Sequence, residues 1–201
     1  MIAALFVEPM GVYAGDLFSP LADVELWTEA RDARLYPGPH PVVAHPPCAR
    51  WCAMAGLVEY LHGRKRGDDG GCFESALAAV RRWGGVLEHP AFSHAWDAFD
   101  LPVPDPAGWW TPTDAHGGAA CQVEQGHYGH RARKRTWLYA VRTTRPELLW
   151  GPAQAARWVT YTAKDSGTPN PKPGIHKRER SATPPAFRDV LLQLARSVAT
   201  G

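Results

Sequence analysis

Three sets of side chains in this 201-residue sequence are of types that do chemistry together: the thiol of Cys48, the carboxyl of Glu88 and the guanidinium groups of Arg131, Arg133 and Arg135. A thiolate adds to electron-poor carbon, a carboxyl group handles the proton involved, and guanidinium groups hold oxygens that gather charge. Cys48 closes the run Pro41-Val42-Val43-Ala44-His45-Pro46-Pro47-Cys48. Its β-rich start reads as a buried strand, and the two prolines stop that strand because they lack the N–H a ladder needs. The thiol is thereby delivered at a strand's carboxyl end, the edge of an open α/β sheet where ligands collect. Taken alone, Cys48 has a plainer reading as a buried, inert cysteine in a turn.

The elements that must position these groups follow from spacing. Val86-Leu87-Glu88-His89-Pro90 is a second short apolar run ending in polar residues and a proline. Between the two runs Phe73, Ala76, Leu77 and Val80 fall at helical spacing, and Trp83-Gly84-Gly85 closes that helix. Strand, helix and strand make a βαβ unit, whose strands are parallel. Cys48 and Glu88 then emerge at the same edge, provided their strands are neighbours. Further strands are expected at Ile2 to Val7, Val24 to Trp27 and Arg131 to Val141. In the last, period two places Arg131, Arg133 and Arg135 on one face at the strand's mouth, where guanidinium groups can meet a base edge or a phosphate. The alternative is an edge strand guarded by charge. Pro102 to Gly118 reads as a long loop. Residues 142 to 180 are loop-rich, and Gly167 to Gly174 suits neither helix nor strand. A last helix is capped by Thr183, carries Pro184 and Pro185 in its first turn, and buries Phe187, Val190, Leu191, Leu194 and Val198.

Composition narrows the class. A formal charge of +2 selects no partner by itself, and 19 prolines with 19 glycines imply short elements and much loop. No apolar stretch reaches membrane-spanning length, and four cysteines without a secretory signal imply reduced thiols. The expectation is a soluble, cytoplasmic protein with no membrane partner.

In this order the segments resemble the DNA cytosine-5 methyltransferase family. Pro46-Pro47-Cys48 is similar to the family's nucleophile motif, and Asp68-Asp69-Gly70-Gly71-Cys72-Phe73 to the segment that opens its next helix. Val86-Leu87-Glu88-His89-Pro90 resembles the Glu-Asn-Val motif, with His89 replacing the asparagine. Tyr128 to Arg135 resembles Gln-x-Arg-x-Arg, with Arg131 at the glutamine and Arg133 and Arg135 at the arginines. Ser181 to Phe187 resembles the last motif. The resemblance implies a reduced Rossmann-like methyltransferase fold with a mostly parallel sheet, made from 1–141 and 180–201. Residues 142–179 take the place of the target-recognition region and form a very small recognition segment. It implies S-adenosylmethionine as cofactor, bound by Phe6, Gly11, Trp27, Glu29 and Pro46, although the Gly-x-Gly of the first motif is absent and a strand and helix are missing before the Cys48 strand. It also implies that Cys48 attacks C6 of a cytosine flipped out of DNA, that Glu88 serves ring N3, and that Arg133 and Arg135 lower the thiol pKa and hold the O2 side. Arg50, Trp51, Arg64, Lys65, Arg66 and Arg131 would contact nucleic acid.

The resulting expectation is a pyrimidine C5-modifying enzyme acting on DNA or on a pyrimidine nucleotide. Its alternatives are the same thiol chemistry on free nucleotides or with another one-carbon donor, and a non-catalytic nucleic-acid-binding relative. A structural metal site built from Cys48, Cys52, Cys72, Cys121 and His127 or His130 is a further rival, weakened by the lack of two close ligand pairs. Trp109 and Trp110 join Trp51 as tryptophans in loops that could stack on bases.

Overall fold

Four short apolar runs in the first ninety residues become parallel strands: β1 (Ile2–Leu5), β2 (Val24–Trp27), β3 (Val42–Ala44) and β4 (Gly85–Pro90). The computed structural model describes residues 1–15, 20–52, 55–105, 107–154 and 177–199. Two further strands, β5 (Gly118–Glu124) and β6 (Arg135–Val141), complete a six-stranded sheet of order β2-β1-β3-β4-β6-β5. β6 runs against both its neighbours, so it alone opposes the other five strands. The fold is α/β with a mixed, mostly parallel sheet.

Each sheet face buries its own core, as alternation along the strands requires. On one face Ala3, Leu5, Val42, Ala44, Leu87, Tyr139 and Val141 pack against Phe73, Ala76, Leu77 and Val80 of α2 (Cys72–Trp83) and Trp96 of α3 (His94–Ala98). On the other, Ala4, Val43, Val86, Leu138 and Ala140 pack against Phe187, Leu191 and Leu194 of α5 (Pro185–Arg196). Gly85 has φ +116° at the start of β4, and a Cβ there would lie 2.0 Å from the Val42 carbonyl oxygen. Only glycine lets β3 and β4 approach there.

Several boundaries differ from the expectation. β1 ends at Leu5 rather than Val7, because Phe6 takes a left-handed φ of 59° and turns the chain. β6 begins at Arg135 rather than Arg131. Thr183 does not cap the last helix; Pro184 occupies that position, with Pro185 at the first helical residue, and Val198 lies beyond the helix. The hairpin strand β5, α1 (Ala55–His62), α3 and α4 (Lys177–Ser181) had no clear sequence signal. Only two 3-10 turns, Glu29–Arg31 and Ala33–Leu35, separate β2 from β3, in keeping with the missing strand and helix. The segment Gly167 to Gly174 lies outside the described residues.

Candidate active site

β1 has β2 on one side and β3 on the other, so the chain leaves it in both directions and a crevice opens beyond the carboxyl ends of β1 and β3. A cavity of about 470 Å³ occupies that position. Phe6, Gly11 and Tyr13 from the segment after β1 line it, with His45 to Cys48 after β3 and Glu88 and Pro90 from β4. Lys134 and the stretch Arg180 to Thr183 close it from the side of β6 and α5.

Cys48 follows β3, and Glu88 lies on β4, its parallel neighbour, in the arrangement the βαβ reading requires. Past Pro46 and Pro47 the chain turns, and the Cys48 carbonyl accepts from the N–H groups of Trp51 and Cys52, each at 3.0 Å. Asp69 then ties this turn to α2. Its carboxylate accepts from Trp51 Nε1 at 2.7 Å and from the Phe73 N–H at 2.9 Å, capping the helix while it fixes the indole.

Glu88 is almost fully buried and accepts from His45 Nδ1 at 2.9 Å and from Gln125 Nε2 at 3.2 Å. Gln125 also donates to Thr136 Oγ1 at 3.0 Å. Burial opposes ionisation of Glu88, but the His45 hydrogen bond and the Lys134 charge together hold it down to about 2. Glu88 is therefore a carboxylate at neutral pH. Lys134 is 9% exposed, and its Nζ donates to the Ala182 carbonyl at 3.0 Å. Burial lowers its pKa, while Glu88 and Cys48 favour its charge. For Cys48, burial and the Glu88 carboxylate raise the thiol pKa, and Lys134 is the side chain that pulls it back.

This corrects the expectation that Arg133 and Arg135 lower the Cys48 pKa. The thiol is raised, and the adjacent cation is Lys134. The reason is strand parity. Glu88 pairs with Leu138, so the even-numbered residues of β6 share its face while Arg135, Trp137 and Tyr139 point to the opposite one. Arg135 is exposed, with its guanidinium 4.9 Å from the centre of the Phe92 ring. Arg133 turns back onto the buried Glu124, with Nε 2.8 Å from Oε2, and Arg131 pairs with Glu179 at 3.0 Å. Arg133 thus holds the β5–β6 end rather than a substrate. Arg133→Ala is expected to cost about 1–2 kcal/mol, read by thermal denaturation, because it strands a buried carboxylate whose partner is partly solvated.

The other expected contacts divide. Phe6, Gly11 and Pro46 line the cavity, whereas Trp27 and Glu29 do not. The Trp27 ring is covered by the Arg31 guanidinium at 4.0 Å and by the edge of Tyr36 at 5.1 Å, and Glu29 is exposed in a 3-10 turn. An adenine has no open aromatic face there, so the adenosyl half of S-adenosylmethionine does not fit the residues assigned to it. Trp51 is 7% exposed and wedged between Phe73 and Phe99, so it is not available to stack on a base. Trp109 is exposed but stacks on Trp150. Arg64, Lys65 and Arg66 are exposed just after α1, and Arg50 is half-buried in the Cys48 turn. The four cysteines are free, and among the described residues no cluster of three or more metal-ligating side chains occurs.

No family model, no curated protein and no solved structure matches this chain. Among the described residues no helix is long and apolar enough to cross a membrane. The site must therefore be read from its own geometry. Sequence reasoning missed four of its members: His45, Lys134, Gln125 and Tyr13, whose hydroxyl lies 2.7 Å from His45 Nε2.

His89, next to Glu88, points to the other face, where it lies between Phe73 and Trp96. Burial lowers its pKa from 6.5 to about 4. Between those values the unfolded chain binds a proton that the folded one refuses, so stability falls as pH drops from about 6.5 towards 4. Chemical denaturation at pH 7 and pH 5 should show a loss of roughly 2 kcal/mol in the wild type. That loss should largely disappear in His89→Leu.

Proposed function

We propose that the cavity is the active site of a pyrimidine C5-modifying enzyme that works through a Cys48 adduct at ring C6, in the manner of the DNA cytosine-5 methyltransferases. The observation that carries this reading is the meeting of Cys48, Glu88 and Lys134 in one cavity at the switch point of the sheet. The strand order supports the finer fold reading, a reduced Rossmann-like methyltransferase fold.

The chemistry follows from the charges. Cys48 gives up its proton beside the Lys134 ammonium, and the sulfur pair forms the S–C6 bond. The C5=C6 pair shifts to make C5 an enamine carbon as N3 takes a proton, so the addition is neutral overall. Glu88 enters as a carboxylate that can accept from the exocyclic amino group of cytosine. Lys134 offsets charge on the sulfur before attack and on the ring after it. C5 then takes a one-carbon unit from an electrophilic donor whose leaving group departs with the pair of the broken bond; C5 loses its hydrogen as a proton, the C–S pair returns to sulfur, and N3 gives back its proton. Since the adenosyl half of S-adenosylmethionine does not fit the expected residues, no step is assigned to it.

A donor-independent experiment tests the reading. In deuterated buffer the adduct must pick up deuterium at C5 and release it with loss of the original hydrogen, so C5–H exchange reports addition alone. Duplex and single-stranded oligonucleotides, dCMP and dUMP would be followed by NMR. Exchange on an oligonucleotide favours the DNA enzyme, and exchange on dCMP or dUMP alone favours the nucleotide enzyme. No exchange on any of them overturns the reading.

A further inference from the structure

The addition needs a proton at N3, yet Glu88 is held ionised. A continuous chain of hydrogen bonds reaches this carboxylate along the wall of the cavity. Tyr13 Oη lies 2.7 Å from His45 Nε2, and His45 Nδ1 lies 2.9 Å from Glu88 Oε2. Tyr13 is 3% exposed, and the side chains of His45 and Glu88 are 14% and 8% exposed, so little of the chain meets bulk water. Burial and the nearby Glu88 raise the Tyr13 pKa well above the usual range, which keeps it a phenol.

A phenol hydroxyl both donates and accepts. When His45 is neutral, Tyr13 donates to Nε2 and His45 donates from Nδ1 to Glu88. When His45 is an imidazolium, both ring nitrogens donate, and Tyr13 accepts. In both resting forms every polar atom of the chain keeps a partner; loss of Nδ1–H to Glu88 instead leaves the Nε2–H tautomer, which donates to Tyr13 while Nδ1 accepts from the newly protonated Glu88. The charged and titratable groups facing this chain are Glu88 from β4, Lys134 ahead of β6, Cys48 from the same loop, His89 beside Glu88, and Arg188 and Asp189 of α5 near Tyr13.

We infer that His45 is a positioning and proton-relay residue, steadied by Tyr13, that passes a proton from Nδ1 to Glu88 as Glu88 delivers one to the ring nitrogen of the base. This rests on the adduct reading above. The transfer is balanced: His45 imidazolium loses Nδ1–H, Glu88 gains and loses one proton, and N3 gains one. After elimination of the sulfur the proton returns by the same path.

The test compares C5–H exchange in wild type, His45→Asn and Tyr13→Phe across pH 5–9. Asparagine keeps an N–H for Glu88 but cannot relay a proton. His45→Asn should lose about 100-fold in rate at neutral pH and should also lose the inflection that His45 contributes to the profile. Tyr13→Phe should retain that inflection, displaced along the pH axis. A profile of unchanged shape in His45→Asn, whatever its height, overturns the relay. A second measurement does not depend on turnover. In the resting protein the His45 Nδ1–H should give a downfield, exchange-protected NMR resonance that moves upfield or is lost in Glu88→Gln, since the charge-assisted hydrogen bond to the carboxylate is gone. A resonance unchanged in Glu88→Gln overturns the relay even if exchange occurs. If the wild type exchanges nothing, the adduct reading falls and this resonance alone decides whether His45 donates to Glu88.

Discussion

Cys48→Ser should abolish C5–H exchange, with a loss on the order of 10⁴-fold or more, while the protein stays folded. An alcohol in place of the thiol is far harder to ionise, and one cation cannot make up the difference. Cys48 is only partly buried and lies in a turn held by its backbone carbonyl, so the exchange of sulfur for oxygen should change stability by less than about 1 kcal/mol. Circular dichroism and a denaturation curve measured beside the exchange assay separate loss of chemistry from loss of fold. A Ser variant that exchanges at the wild-type rate would remove Cys48 from the reaction.

The second large effect should come from Lys134→Met. Methionine has a similar length without the charge, so Cys48 loses the only side-chain cation among the described residues that opposes its raised pKa, and Glu88 loses one of the groups that holds it ionised. Exchange should fall by about 10²–10³-fold, the scale of removing one preorganised charge from an active site. The residual activity should need higher pH than the wild type, because the thiolate now forms only at higher pH. Lys134→Arg should not restore the rate. A planar guanidinium cannot repeat the Nζ bond to the Ala182 carbonyl while keeping a compact charge directed at Glu88 and Cys48. An unchanged profile in Lys134→Met would show that some other group supports the thiolate.

The parallel half of the sheet was legible because its signals are local. Two prolines after Val42-Val43-Ala44, and the glycines that close α2, mark their own boundaries, so the edge carrying Cys48 and Glu88 could be read directly. The cation was misread for the opposite reason. Period two sorts Arg131-Ala132-Arg133-Lys134-Arg135 into two faces but does not say which one meets Glu88. Only the pairing of Glu88 with Leu138 settles that, and it assigns the single lysine rather than the three arginines. Gln125 and β5 were hidden for a related reason, since Gly118-Ala119-Ala120-Cys121 has few β-branched residues and becomes a strand through its ladder to β6. Trp27 and Trp51 look like ring-stacking residues in sequence, but the space beside each is taken by another part of the chain: Arg31 and Tyr36, and Phe73 and Phe99.

The register of β4 against β6 also makes the sheet a selector of which charge enters the cavity. Neighbouring residues at the start of β6 and just ahead of it face opposite sides, and three in succession, Arg133, Lys134 and Arg135, are basic. Loss of one residue between Lys134 and Leu138 would carry Lys134 to the outer side and bring Arg133 to the position beside Glu88. The net charge of the protein would barely change, yet a compact ammonium would be exchanged for a forked guanidinium at the thiol. At this strand the identity of the cation that lines the cavity is a property of chain length, held in place by the count of residues from Leu138 back to the mouth of the cavity.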